Sequence, residues 1–89
     1  MAKKIAVVVR DRQGEALRMS IGLIVLDDEV DVIVTEPLQE EWRAFLENDV
    51  SMLVHAVAST VPIEGVDAEQ LSHEELAVKL LEYDNVLAY

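Results

Sequence analysis

The amino-acid sequence predicts an α/β fold: one domain whose mainly parallel sheet has about five short strands, with helices on its faces. Three observations carry this expectation. Short β-branched runs alternate with longer segments of unbranched helix formers. No Pro/Gly/Ser-rich linker, repeat or low-complexity stretch divides the chain, so residues 1–89 read as a single domain. The composition is 52% hydrophobic with only 4% aromatic residues, which describes a folded chain with an aliphatic core. A domain this short hides only somewhat more than about 60% of its unfolded surface, so its stability is expected to lean on neighbours.

Lys4 to Arg10 (KIAVVVR) is a continuous apolar, β-branched run, the pattern of a central strand buried on both faces. Asp11 to Gly14 forms a loop, and Glu15 to Leu26 reads as a helix by its length and by Ala16, Leu17, Met19, Leu23 and Leu26. That helix is apolar nearly all round, which places it in an interior or between two packed bodies. One side is expected to meet the sheet and the other a second subunit, with Leu17, Met19, Ile21, Ile24 and His55 as candidate interface residues. The alternative is that other helices of the same chain cover it. Val30 to Thr35 reads as the second strand, closed by Pro37, which cannot donate to a ladder.

Gln39 to Asn48 follows as an amphipathic helix with Trp42, Phe45 and Leu46 inward. Met52 to Ala58 (MLVHAVA) reads as the third strand, and Gly65 to Leu71 as a short strand or an extended approach. Ser72 with Glu75 forms a capping box that starts a helix running to Tyr83, with Leu76, Ala77, Leu80 and Leu81 inward. Asn85 to Tyr89 (NVLAY) finishes the series as a strand.

Charge excludes several partners. The net charge of −11 is uneven: residues 1–26 carry five bases against two acids, and residues 27–89 carry sixteen acids against two bases. Such a surface repels nucleic-acid phosphates and anionic headgroups, so neither nucleic acid nor membrane is an expected partner. The acidic faces serve solubility or, on a sharper reading, dock a basic partner protein. No apolar stretch approaches the roughly 18 residues of a membrane span, and Met1-Ala2-Lys3-Lys4 does not open a signal peptide. A cytoplasmic location is expected. The chain has no cysteine, so thiol chemistry, disulfides and Cys-ligated metals are excluded.

No catalytic motif or cofactor site is expected. His55 lies in an apolar strand and His73 beside a helix cap. The two are too far apart in sequence for an H-E-x-x-H-type metal frame, so no metal site is assigned. Ser59 lacks the G-x-S-x-G turn of a nucleophile elbow. In a parallel sheet, ligands gather at the carboxyl ends of the strands. There the chain supplies Arg10, Arg12 and Gly14, then Thr35 and Glu36, then Ser59 and Thr60. Arg10 and Arg12 flank the amino end of the first helix, where free amides and the dipole favour a small anion, with salt bridges to the acidic body as the plainer alternative.

The run Glu15-Ala16-Leu17-Arg18-Met19-Ser20-Ile21-Gly22-Leu23, followed by an acidic turn and Val30-Asp31-Val32-Ile33-Val34, resembles the opening βαβ unit of the DsrE-like sulfur-relay family. Leu71-Ser72-His73-Glu74-Glu75-Leu76, with Tyr83-Asp84-Asn85-Val86-Leu87-Ala88-Tyr89, is similar to that family's closing helix and strand, and to the ending of its smaller, cysteine-free DsrH/TusB-type subunits. The resemblance implies a flavodoxin-like three-layer fold, oligomers built from the chain itself or from homologous subunits, and a place in cytoplasmic persulfide transfer. In sulfur-carrying members the cysteine lies near the end of the third strand, where this chain reads His55-Ala56-Val57-Ala58-Ser59-Thr60. A serine hydroxyl cannot hold a persulfide, which leaves a non-catalytic scaffold role.

Overall fold

The computed structural model describes residues 3–89; Met1 and Ala2, the start of the segment read as opening no signal peptide, lie outside them. The elements are β1 (Lys4–Val9), α1 (Gln13–Val25), β2 (Glu29–Val34), α2 (Glu40–Phe45), a π-helical turn (Leu46–Val50), α3 (Ser51–Leu53), β3 (Ala56–Ser59), β4 (Glu69–Gln70), α4 (His73–Leu80) and β5 (Asn85–Ala88). The five strands form one sheet in the order β4-β3-β2-β1-β5, and every pair is parallel. The expected class is the observed one.

The order adds what the class alone does not specify. It advances strand by strand from β1 to β4 and then returns β5 to the outer side of β1, whereas the flavodoxin order is 2-1-3-4-5. β1 is therefore paired on both sides, with Lys4–Val9 against Glu29–Val34 and Ile5–Val8 against Asn85–Ala88. This is why its whole run is apolar. Ile5, Val7 and Val9 join Val30, Val32 and Val34 under Ala16 and Leu17 of α1 and Leu46 and Val50 of the π-helical turn. Ala6 and Val8 join Ile33, Ala58 and Leu71 on the opposite face, under Leu76 and Leu80 of α4 and Tyr83.

Local chemistry sets the element ends. The capping box is present: the Glu75 amide donates to the Ser72 hydroxyl at 3.1 Å, and the Ser72 amide donates to the Glu75 carboxylate at 2.9 Å. These bonds hold the Glu75 carboxyl below the usual carboxylate range. At the other end of α1, the Asp28 amide donates to the Leu23 carbonyl and the Asp27 amide to the Ile24 carbonyl, closing a Schellman motif. Its left-handed position is occupied by Asp27, at φ 72°. A side chain is disfavoured there, so Asp27→Gly is expected to stabilise the fold by about 0.5–1 kcal/mol, read as a higher urea midpoint.

One strand boundary and one helix face depart from the sequence reading. Met52 and Leu53 are helical and β3 begins only at Ala56, because the helical path of α2 continues through the π-helical turn into α3. Both Leu46 and Val50 are fully buried along that path, and the Ser51 hydroxyl donates to the Glu47 carbonyl at 3.0 Å within it. On α4, Leu76 and Leu80 point inward as expected, but Ala77 and Leu81 are exposed. Helical spacing from Leu76 reaches Leu80 and then Tyr83, and one short helix can present only that stripe to the sheet.

Candidate functional site

The seven residues expected at the carboxyl ends of the strands lie along one edge of the sheet, where the side chains of Arg12, Thr35 and Ser59 are engaged within the fold. Arg12 turns toward Glu15 at 3.4 Å and stands 5.8 Å over the Tyr89 ring. Arg10 is exposed, and its backbone amide donates to the Tyr89 carbonyl at 2.7 Å, as that of Asp11 does at 3.0 Å. Gly14 is buried because the Trp42 ring lies against it. The absence of a side chain at that position makes room for an indole.

Gln13, which sequence reasoning passed over, fastens this edge. Its side-chain amide donates to the Pro37 carbonyl at 3.0 Å and accepts from the Gln39 amide at 3.0 Å. Thr35 donates to the Val9 carbonyl at 3.2 Å, and Glu36 is exposed. The buried Ser59 hydroxyl donates to the Val61 carbonyl and accepts from the Val61 amide, closing a local turn. Thr60 alone holds a buried hydroxyl oxygen without a hydrogen-bond partner among the described residues.

The expected interface residues divide. Leu17 is fully buried in the core, which corrects its assignment to a subunit contact. It belongs to the Ala16, Leu17 and Ser20 stripe that lies toward the sheet. Ile21 and Ile24 are half-buried against the same core, and Met19 is exposed. Apolar exposure is greatest at the end of the helix: Val25 is 81% and Leu26 70% exposed. On α3, Met52 is 79% and Leu53 53% exposed. α1 leads into β2 and α3 into β3, and these strands are neighbours, so both pairs reach the amino edge of the sheet on the same face.

His55 sits at that edge as well, in a network the sequence did not disclose. Its Nδ1 lies 2.9 Å from the Asp31 carboxylate and its Nε2 3.1 Å from that of Glu29. Asp31 is buried, and its second oxygen accepts from the Tyr83 hydroxyl. Burial, that hydrogen bond and the nearby negative charges raise the Tyr83 phenol well above its ordinary value, so it remains a donor. Lys4 stands 5.2 Å over the Tyr83 ring, and its backbone amide donates to Asp84 at 2.8 Å. No family model, curated protein or solved structure matches this chain.

The chemistry of the network follows from its geometry. The two carboxylates lie within hydrogen-bonding reach of both ring nitrogens of His55, which holds the ring between Glu29 and Asp31. Tyr83 is a donor whose phenolate is disfavoured. Among the described residues no three His, Asp or Glu side chains are grouped to hold a metal ion. The arrangement ties the start of β2, the approach to β3 and the approach to β5 into one unit. It lies at the amino end of the strands, on the α4 side of the sheet with Tyr83.

Proposed function

We propose that this chain is a non-catalytic, cysteine-free assembly subunit of a sulfur-relay-like complex, binding copies of itself, and through the same surface homologous subunits, along the amino edge of its sheet. The observation that carries this reading is the group of exposed apolar side chains there: Val25, Leu26, Met52 and Leu53. Single exposed apolar residues are ordinary, but a patch with a polar rim marks a contact surface. At the same end of the strands stand His55 and Glu29, and the oppositely charged Lys3 and Asp28, the Lys3 amide donating to Asp28 at 3.3 Å. Two copies can therefore match charge as well as apolar area.

The relay context is supported by the residue runs that resemble the DsrE-like family and by the state of the third strand's end. Where sulfur-carrying members hold cysteine, Ser59 is buried and its hydroxyl closes a turn. We place the protein in the cytoplasm, where thiol-bearing partners stay reduced. The alternative, a small-anion or nucleotide-binding module at the carboxyl-edge loops, has the unpartnered Thr60 hydroxyl in its favour. Against it stand the indole over Gly14 and the internal partners of Arg12.

Each apolar side chain transferred fully from water contributes about 1.5–3 kcal/mol, so a charge placed among them removes much of the drive to associate. Leu26→Asp/Met52→Asp alters only surface positions and is expected to leave the fold's circular dichroism unchanged while reducing the protein to monomer. A variant with the mass of the wild type would remove the amino edge from the account.

A further inference from the structure

A second surface lies on the opposite face of the sheet, where β4 and α4 leave a groove of about 390 Å³. Its floor holds the apolar side chains of Leu71 and Val78, and its walls hold the carboxylates of Glu69, Glu74, Glu75 and Glu82. Lys79 is the only base lining it, so the groove is three charges negative. Val78 is 65% exposed, and Leu81, just past the end of α4, is 84% exposed. Glu75 is engaged in the capping box and Glu82 reaches Lys4 at 3.9 Å. Glu69 and Glu74 have no ion-pair partner among the described residues.

We propose that this groove docks a basic amphipathic segment of a partner protein, with an apolar side chain seated on Leu71 and Val78 and flanking Lys or Arg side chains against Glu69 and Glu74. Two properties of the groove select that occupant. An apolar floor rewards a side chain that leaves water, which a free cation does not have. The negative walls repel acidic proteins, nucleic acid and anionic lipid, and attract a segment of opposite charge. A second copy of this chain is a poor match, because residues 27–89 hold two bases among sixteen acids and the bases of residues 1–26 lie in and around β1 and α1. The surface is separate from the amino-edge patch, so the two readings stand or fall independently.

The test uses a synthetic amphipathic helix of leucine and lysine as the probe, titrated calorimetrically into the whole protein. Binding is expected, weakening as added salt shortens the screening length from about 10 Å at 0.1 M. Glu69→Gln/Glu74→Gln and Val78→Asp, each checked for an unchanged circular dichroism spectrum, are expected to lose about tenfold in affinity or more. Leu26→Asp/Met52→Asp is expected to bind as the wild type does. Absence of binding, or equal binding by the groove variants, would overturn the proposal. Dissociation of the wild-type assembly by the probe would overturn it too, by identifying a second copy as the occupant.

Discussion

Asp31→Ala is expected to lower folding stability by about 3 kcal/mol, the largest effect of any single polar side chain in this protein. Asp31 is buried on β2, and its two oxygens serve His55 before β3 and Tyr83 before β5, so one substitution releases both junctions. In a domain of this size the loss corresponds to a fall in Tm of about 12–24 °C. Asp31→Asn keeps the shape and one acceptor and is expected to cost about 1 kcal/mol. Tyr83→Phe should cost about 1.5 kcal/mol, and the combination with Asp31→Ala should cost less than the sum, because both act on one network.

The same network gives an alkaline signature. The folded-state value of Tyr83 lies above its ordinary value of 10.0, so the stability it contributes is fully present below that value and is lost as pH rises through it toward the folded value. The wild type should therefore lose urea resistance above pH 10 more steeply than Tyr83→Phe. Equal slopes would show that the phenol is not held by Asp31.

Gly14→Ala is expected to destabilise the fold by about 2 kcal/mol, even though alanine is the better helix former. The added carbon would lie 2.6 Å from Cζ2 and 2.7 Å from Cη2 of Trp42, closer than van der Waals contact allows. The indole has little freedom to retreat, since Phe45 packs edge-on to it at 6.3 Å and the Arg18 guanidinium covers it at 5.2 Å. Displacement of the ring should be visible as a red shift in the emission of the single tryptophan. In a Trp42→Leu background the sign should reverse, because the obstruction is gone and about 0.5–1 kcal/mol of helix propensity remains. A loss of the same size in both backgrounds would mean that the indole is not what keeps position 14 small.

The parts of the fold legible in the sequence were those set by local pattern. The β-branched run at β1 announces a strand covered on both faces, and Ser72 with Glu75 announces a helix start, because both depend on neighbours a few residues apart. The third strand was misplaced because Met52, Leu53 and Val54 are as apolar in a helix as in a strand, and the π-helical turn that prolongs the helix has no pattern of its own. An all-round apolar helix does not say which side meets the sheet, so Leu17 reads as an interface residue in the sequence and is a core residue in the fold. The amino-edge network was invisible for a different reason: Asp31, His55 and Tyr83 are separated by 24 and 52 positions from the shared carboxylate outward, and only the parallel register brings them together. The single charge inside the apolar run of β2 was the one available sign. A buried carboxylate in a strand requires partners, and the nearest titratable residues at the same edge were the ones to examine.

The fold thus presents two surfaces of different character. The amino edge exposes apolar side chains at the ends of α1 and α3, and the α4 groove is acidic around a small apolar floor; the first is the proposed contact with a copy of the chain and the second the proposed dock for a basic segment. The carboxyl edge, where ligands commonly bind in parallel sheets, is largely occupied by the chain's own contacts through Gln13, Trp42 and Tyr89.

The central claim, that the amino edge joins copies of this chain, is tested most directly by the mass of the wild-type protein in solution, measured by light scattering across a dilution series with the urea midpoint followed in parallel. The account predicts a mass that is a multiple of 9.9 kDa and a midpoint that rises with protein concentration. A 9.9 kDa species at every concentration, with a midpoint that does not move, would contradict it.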